Sequence, residues 1–179
     1  MDLNYTPEQL MLKDSVRKFS ENEIAPLIKQ METEKRTPRQ LIKRAKELGF
    51  CGLQYPEQYG GTGNSYIEYV IMQEEMARVY CSIAGTVAVN SMCGTAIYKF
   101  GTEEQKKQFL PEICNDGDCV GSFAFTEAAT GSDPSALRTT CVRDGDEWVI
   151  NGEKIFITAS TFPGVMSLFC KDVEMDGKC

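Results

Sequence analysis

Apolar and polar positions alternate with two different rhythms along this chain, and the change comes about two-thirds of the way through. From the N-terminus the rhythm is helical. Thr6-Pro7-Glu8-Gln9 joins an N-cap, a proline at the first helical position and a glutamine three residues past the cap. Leu12, Val16 and Phe19 then recur at helical spacing. Thr37-Pro38-Arg39-Gln40 repeats the start signal, with Leu41, Ala45 and Leu48 on one face and Gly49 as the stop. Residues 52–64 carry Tyr55-Pro56-Glu57 and Gly60-Gly61-Thr62-Gly63, a density of proline and glycine that marks a loop. Ser65 and Glu68 form a further capping box, opening a helix with Ile67, Val70, Ile71 and Glu74. A small-residue helix is predicted from Ser82 to Phe100, ending at Gly101, and Thr102-Glu103-Glu104-Gln105 caps a short helix that stops near Pro111.

After Asp116-Gly117 the period shortens towards two. Val120 to Thr126 and Leu137 to Arg143 read as strands, followed by the turn Asp144-Gly145-Asp146. Trp148-Val149-Ile150 and Ile155-Phe156-Ile157 flank Asn151-Gly152, the strongest short hairpin signal in the chain. Val165 to Cys170 supplies one more strand. The pattern predicts an α+β chain of more than one domain: a helical domain over 1–117 and an incomplete antiparallel, barrel-like β domain over 118–179. Three or four strands with no closing partner leave open edges, so the β domain is expected to be truncated or covered by another chain.

Composition narrows the chemistry. With 19 Lys and Arg against 26 Asp and Glu, the formal net charge of −7 argues against a nucleic-acid partner. No apolar run reaches the length of a membrane span. Met1-Asp2-Leu3-Asn4 has neither a basic n-region nor an apolar h-region, which predicts a cytoplasmic protein. The eight cysteines form no C-x-x-C pair and there is no histidine, so zinc and iron–sulfur spacings are absent and no metal is expected. In a reducing compartment these cysteines are expected to be free thiols acting as small apolar residues. Without histidine, a Ser-His-Asp or Cys-His nucleophilic site cannot be assembled from this chain.

One segment carries chemistry. Phe123-Ala124-Phe125-Thr126-Glu127-Ala128-Ala129-Thr130-Gly131-Ser132-Asp133 is a strand that ends in threonine and runs into a loop of small residues. Such a loop lets main-chain N–H groups approach a ligand, and the Thr and Ser hydroxyls add donors for a pyrophosphate. By itself this is also what an ordinary surface loop looks like.

Thr126 to Asp133 resembles the flavin-binding signature of the acyl-CoA dehydrogenase family, T-E-P-x-A-G-S-D. Other blocks resemble that family in the same order: Leu48-Gly49-Phe50-Cys51-Gly52-Leu53 with Pro56-Glu57-Gln58-Tyr59-Gly60-Gly61, then Gly101-Thr102-Glu103-Glu104-Gln105-Lys106 with Leu110-Pro111, then Asn151-Gly152-Glu153-Lys154-Ile155-Phe156-Ile157-Thr158. The departures are Ala128 for proline, Ala129-Thr130 for a Gly/Ala pair, and Ala159 where asparagine is common.

The resemblance implies FAD as cofactor and α,β-dehydrogenation of an acyl-CoA thioester, in fatty acid metabolism. It implies that Phe123, Phe125 and Thr126 line the flavin, that Gly131 and Ser132 serve the pyrophosphate with Ser132 also near the acyl-CoA, and that Phe156 and Thr158 meet the flavin from a second strand. The family's catalytic base lies in a C-terminal helical domain to which nothing here corresponds, so no base is assigned. Glu127 is read instead as a structural carboxylate at a strand end. The resemblance further implies an electron-transfer flavoprotein-type acceptor and a homo-oligomeric full-length parent. Two alternatives stay open: an enoyl-CoA reductase of the same family, and an inactive truncated interaction module.

Overall fold

The computed structural model describes residues 4–115 and 117–174. Four parts of the sequence reading therefore lie outside the described residues: the start at 1–3, Asp116 at the change of rhythm, the thiol of Cys179, and the last five residues of the expected β domain.

Helices fill the first part of the chain: α1 (Pro7–Phe19), α2 (Ile28–Glu34), α3 (Arg39–Glu47), α4 (Tyr66–Val79), α5 (Cys81–Phe100) and α6 (Glu103–Cys114). Three starts follow the expected capping chemistry, since Thr6 with Gln9, Ser65 with Glu68 and Thr102 with Gln105 all close reciprocal capping boxes. The fourth does not. Helix α3 begins behind Pro38, which has no side-chain cap, and the Pro38 carbonyl accepts the Leu41 N–H at 3.1 Å.

Between α1 and α2 the chain stays helical through a π turn (Ser20–Ile24) and a 3₁₀ turn (Ala25–Leu27) containing Pro26. The missing N–H of proline interrupts the regular ladder there without ending the helical path. Helix α6 also outlasts its expected stop at Pro111 and runs to Cys114. The extra turn buries Ile113 and Cys114 beside Leu110, and that packing outweighs the one hydrogen bond proline removes. The core lies between α1, α4 and α5, around Val16, Phe19, Met72, Met76, Ile83 and Val87.

The strands are β1 (Ser122–Ala124), β2 (Thr140–Asp144), β3 (Glu147–Asn151), β4 (Met166–Leu168) and β5 (Lys171–Asp172). They form two small sheets, β1-β4 and β3-β2-β5. Only β2–β3 is antiparallel; β1–β4 and β2–β5 are parallel, and no barrel closes among the described residues. The long excursions between the parallel partners allow this, because a parallel return needs a crossover of about a dozen residues or more.

The hairpin lies one turn earlier than Asn151-Gly152 predicts. Asp144 pairs with Glu147 across a two-residue loop, with Gly145 at φ +62° in its first position. Residues 155–157 are not a strand. Gly152 instead serves a close approach: at φ +154°, a Cβ on it would stand 2.4 Å from Thr139 Oγ1. The apolar run Trp148–Ile150 is not core either, since β3 is an exposed edge strand throughout.

Polar side chains join the helices to the strands. Asn90 of α5, fully buried, donates through Nδ2 to the Ile113 carbonyl at 3.2 Å and accepts the Gly121 N–H at 2.8 Å. Lys46 of α3 donates to the carbonyls of Glu112 (2.5 Å) and Cys119. Ser167 of β4 donates to the Cys93 carbonyl at 3.4 Å. Cys51, Cys81, Cys93, Cys114, Cys119 and Cys141 are free thiols, with Cys51, Cys93, Cys114 and Cys141 buried as expected of small apolar residues.

Candidate functional site

Strand β1 presents two faces. Phe123 and Phe125 point to one side, stacked at 6.3 Å, with Phe169 from the segment after β4 closing the cluster at 4.7 and 5.2 Å. Ala124, fully buried, points to the other. The alternation is the period-two geometry of a strand.

On the phenylalanine side lies an apolar cleft of about 420 Å³. Tyr66 and Tyr69 of α4, Met92 and Thr95 of α5, Phe123 and Phe169 form most of its wall. Gln54 Oε1 lines it, buried and without a hydrogen-bond partner in the protein. The sequence reading did not find this cleft, because its walls come from separate segments spread between Gln54 and Phe169. On the alanine side a cavity of about 360 Å³ is bounded by Leu168, Lys154, Phe156 and Ile157.

Beyond Thr126 the chain makes a tight turn. Glu127 N–H donates to the Thr130 carbonyl at 2.9 Å and Thr130 N–H returns to the Glu127 carbonyl at 3.2 Å. Ala128 and Ala129 stand exposed at its tip, with Gly131 and Ser132 exposed after it. The turn is closed by the N–H groups of Glu127 and Thr130, and the residues at 128, 129, 131 and 132 are solvent-exposed. Thr130 Oγ1 donates to the Asp133 carbonyl, and Asp133 caps the short 3₁₀ turn Pro134–Ala136 by accepting the Ser135 N–H at 3.0 Å. These bonds hold the exposed residues from behind.

The structure brings the second predicted segment to the first. Ile155 N–H donates to the Thr126 carbonyl at 3.0 Å. Next to it Phe156 is held at φ +57° with its side chain 88% exposed. A positive φ is unusual for a bulky residue and is a mark of constraint rather than of packing. Thr158 is exposed two residues further on. Of the predicted set, Phe123 and Phe125 cluster on one face, Thr126 and Gly131 adjoin, and Ser132, Phe156 and Thr158 stand open on the rim. The ring of Phe156 opens to the cavity opposite the phenylalanine cluster.

Glu127 has the structural role its place in the sequence predicts. Its Oε2 accepts the Arg138 N–H at 2.6 Å, and its Oε1 accepts the Thr139 N–H at 3.0 Å and Lys154 Nζ at 2.8 Å. Burial pushes its pKa upward, but the Lys154 ammonium and the two main-chain donors outweigh that and hold the carboxyl at about 2. Lys154 also donates to the Phe125 carbonyl at 3.0 Å. The sequence reading quoted Lys154 without giving it a role. Its signal was a lone cation directly before the apolar triplet Ile155-Phe156-Ile157.

These groups fit a flavin dinucleotide. Small exposed residues with hydroxyls suit a pyrophosphate, and an exposed aromatic ring beside a threonine suits a flat, partly polar ring system. Among the described residues there is no cluster of three or more His, Cys, Asp or Glu that could hold a metal, and no helix is long and apolar enough to cross a membrane.

Comparison with known proteins agrees with this geometry. The N-terminal domain of acyl-CoA dehydrogenases matches residues 6–117, and the middle domain of the same family matches residues 122–178. A short-chain specific acyl-CoA dehydrogenase of Clostridium acetobutylicum is 38% identical over 160 residues, 88% of this chain and 42% of that protein. The acryloyl-CoA reductase (NADH) of Anaerotignum propionicum is 36% identical over 171 residues, 94% of this chain and 43% of that protein. The solved structure of butyryl-CoA dehydrogenase from Megasphaera elsdenii superposes with a TM-score of 0.89 at 30% identity, over 96% of this chain and 46% of that one. The chain thus spans less than half the length of the relatives it matches. With helical and strand segments both matched in order, the chain belongs to the acyl-CoA dehydrogenase family.

Proposed function

We propose that this chain is the flavin-side portion of an FAD-dependent oxidoreductase that acts on the CH–CH bond of acyl-CoA thioesters. The observation that carries the reading is the Ile155–Thr126 hydrogen bond. It sets the small-residue loop Thr126–Ser132 beside the exposed ring of Phe156 in a chain of this family. Phe123, Phe125, Thr126, Gly131, Ser132, Phe156 and Thr158 would hold FAD, and Ser132 would also face the acyl-CoA. The apolar cleft beside Phe123 and Phe169 offers a dry wall for an acyl chain.

FAD, when bound, supplies the acceptor for a hydride from the β carbon of the acyl group. This chain's own part is to bind and orient. Main-chain N–H groups of the exposed residues at 128, 129, 131 and 132 would meet the phosphates, the Thr126 hydroxyl would offer a hydrogen bond to the flavin edge, and the aromatic side chains would exclude water from it. No residue here is proposed as the base that takes the α proton. Electrons would leave to an electron-transfer flavoprotein-type acceptor. The similarity to an acryloyl-CoA reductase supports a second direction for the same site, reduction of an enoyl-CoA.

The test is the visible spectrum of the purified chain after incubation with FAD and gel filtration. A retained flavin band, bleached by a short acyl-CoA once the remaining sequence of a relative is supplied, is the expected result. Folded protein with no band would overturn the flavin reading for this chain.

A further inference from the structure

The inference that follows rests on the flavin reading above. We infer that the ion pair Lys154–Glu127 is a positioning clamp that sets the spacing between the two halves of the flavin cradle. Both side chains are almost fully buried, 8% and 5% exposed, with Nζ and Oε1 2.8 Å apart. Each lines a cavity beside the loop with little exposed surface, and each spends its polar atoms on main chain and on the other.

What the pair holds is main chain. Glu127 takes the N–H groups of Arg138 and Thr139, and Lys154 takes the carbonyl of Phe125. Three segments far apart in sequence are thereby tied at one point: the end of β1, the entry to β2, and the stretch after β3. Thr126 sits between the two tied positions of the first segment, and Phe156 sits two residues from Lys154 in the third. The Gly152–Thr139 approach and the Ile155–Thr126 hydrogen bond lie within the same knot.

A buried ion pair is a poor way to add stability, because its desolvation cost offsets much of its attraction and an apolar pair of the same volume does as well. Its directional, charge-assisted bonds do fix geometry. The cradle needs that service here. Ala128 stands where the family pattern has proline, so the loop lacks the rigid φ that would otherwise hold its shape. The constraint comes from beneath the loop instead.

Two measurements on the full 179-residue chain test this. Amide hydrogen exchange reports on the Ile155 N–H, with amides of α5 as the internal control, and quenching of flavin fluorescence gives the FAD dissociation constant. In Lys154→Met, which keeps length and removes charge, exchange at Ile155 should quicken and FAD binding weaken by about tenfold or more, the scale of a lost charge-assisted hydrogen bond. Exchange in α5 should not change. Lys154→Arg should restore most of the affinity. Glu127→Gln makes the same comparison if Lys154→Met does not fold. Where the wild-type chain binds FAD, unchanged exchange at Ile155 or unchanged FAD affinity in Lys154→Met overturns the clamp and leaves the flavin reading intact. A folded wild-type chain that holds no FAD overturns the flavin reading and the clamp's role with it.

Discussion

Replacing Asn90 with alanine should loosen the joint between the helices and the flavin-side strands. Asn90 is completely buried, and its amide spans the end of α6 and the approach to β1 through Ile113 O and Gly121 N. Alanine removes both partners at once and leaves a buried carbonyl and a buried N–H unmatched. Each orphaned group costs about 1–3 kcal/mol, so the loss is about 2–6 kcal/mol, with a water in the vacated space holding it to the lower end. For a chain of this size each kcal/mol lowers Tm by about 2–4 °C, so a fall of about 4–24 °C is expected by calorimetry or circular dichroism.

Asn90→Asp sharpens the test. Aspartate keeps the shape and the acceptor for Gly121 but turns an oxygen towards the Ile113 carbonyl. At neutral pH it should be worse than alanine, because a buried charge then faces a carbonyl dipole. Burial raises that carboxyl's pKa in the folded state. The variant should therefore come closest to wild type below the unfolded carboxylate pKa and lose ground as pH rises through the folded value. A loss below about 1 kcal/mol in Asn90→Ala, or Asn90→Asp as stable as wild type at pH 7, would refute the bridging role.

Other consequences are open to direct measurement. The Glu127 carboxyl is depressed from 4.5 to about 2, so its contribution to stability is present above 4.5 and lost as pH falls towards 2; the stability gap between wild type and Glu127→Gln in urea titrations should shrink over that window. Phe156→Ala removes an exposed ring and should change stability by no more than about 0.5 kcal/mol, yet it should weaken FAD retention on gel filtration; a large stability loss would mean the ring is structural. Burial pushes the thiols of Cys51 and Cys114 up to about 12, against a small opposing pull from Lys46, so both should resist an aromatic disulfide reagent in the native chain while exposed Cys81 reacts. Rapid labelling of Cys51 by mass spectrometry would contradict the buried core around it.

The sequence by itself determined what depends on neighbours three or four residues apart. Capping boxes at Thr6, Ser65 and Thr102 were legible because donor and acceptor lie within one turn, and the Val16 and Phe19 stripe because helical period and burial coincide. The family pattern over Thr126–Asp133 was legible for a similar reason, since its small residues are consecutive. Tertiary structure decided the rest. Asn-Gly marks a hairpin only if the next segment pairs back, and here β3 already had β2 as its partner, which left Gly152 to pack on Thr139 instead. Pro111 ends an isolated helix, but the burial of Ile113 and Cys114 carries α6 past it. The fastenings beneath the site join residues distant in sequence: Asn90 to Gly121, Lys46 to Cys119, Lys154 to Glu127. Periodicity in one chain carries no information about such pairs, because a buried amide or ammonium finds its partners only when the packed backbone places unmatched donors and acceptors within reach.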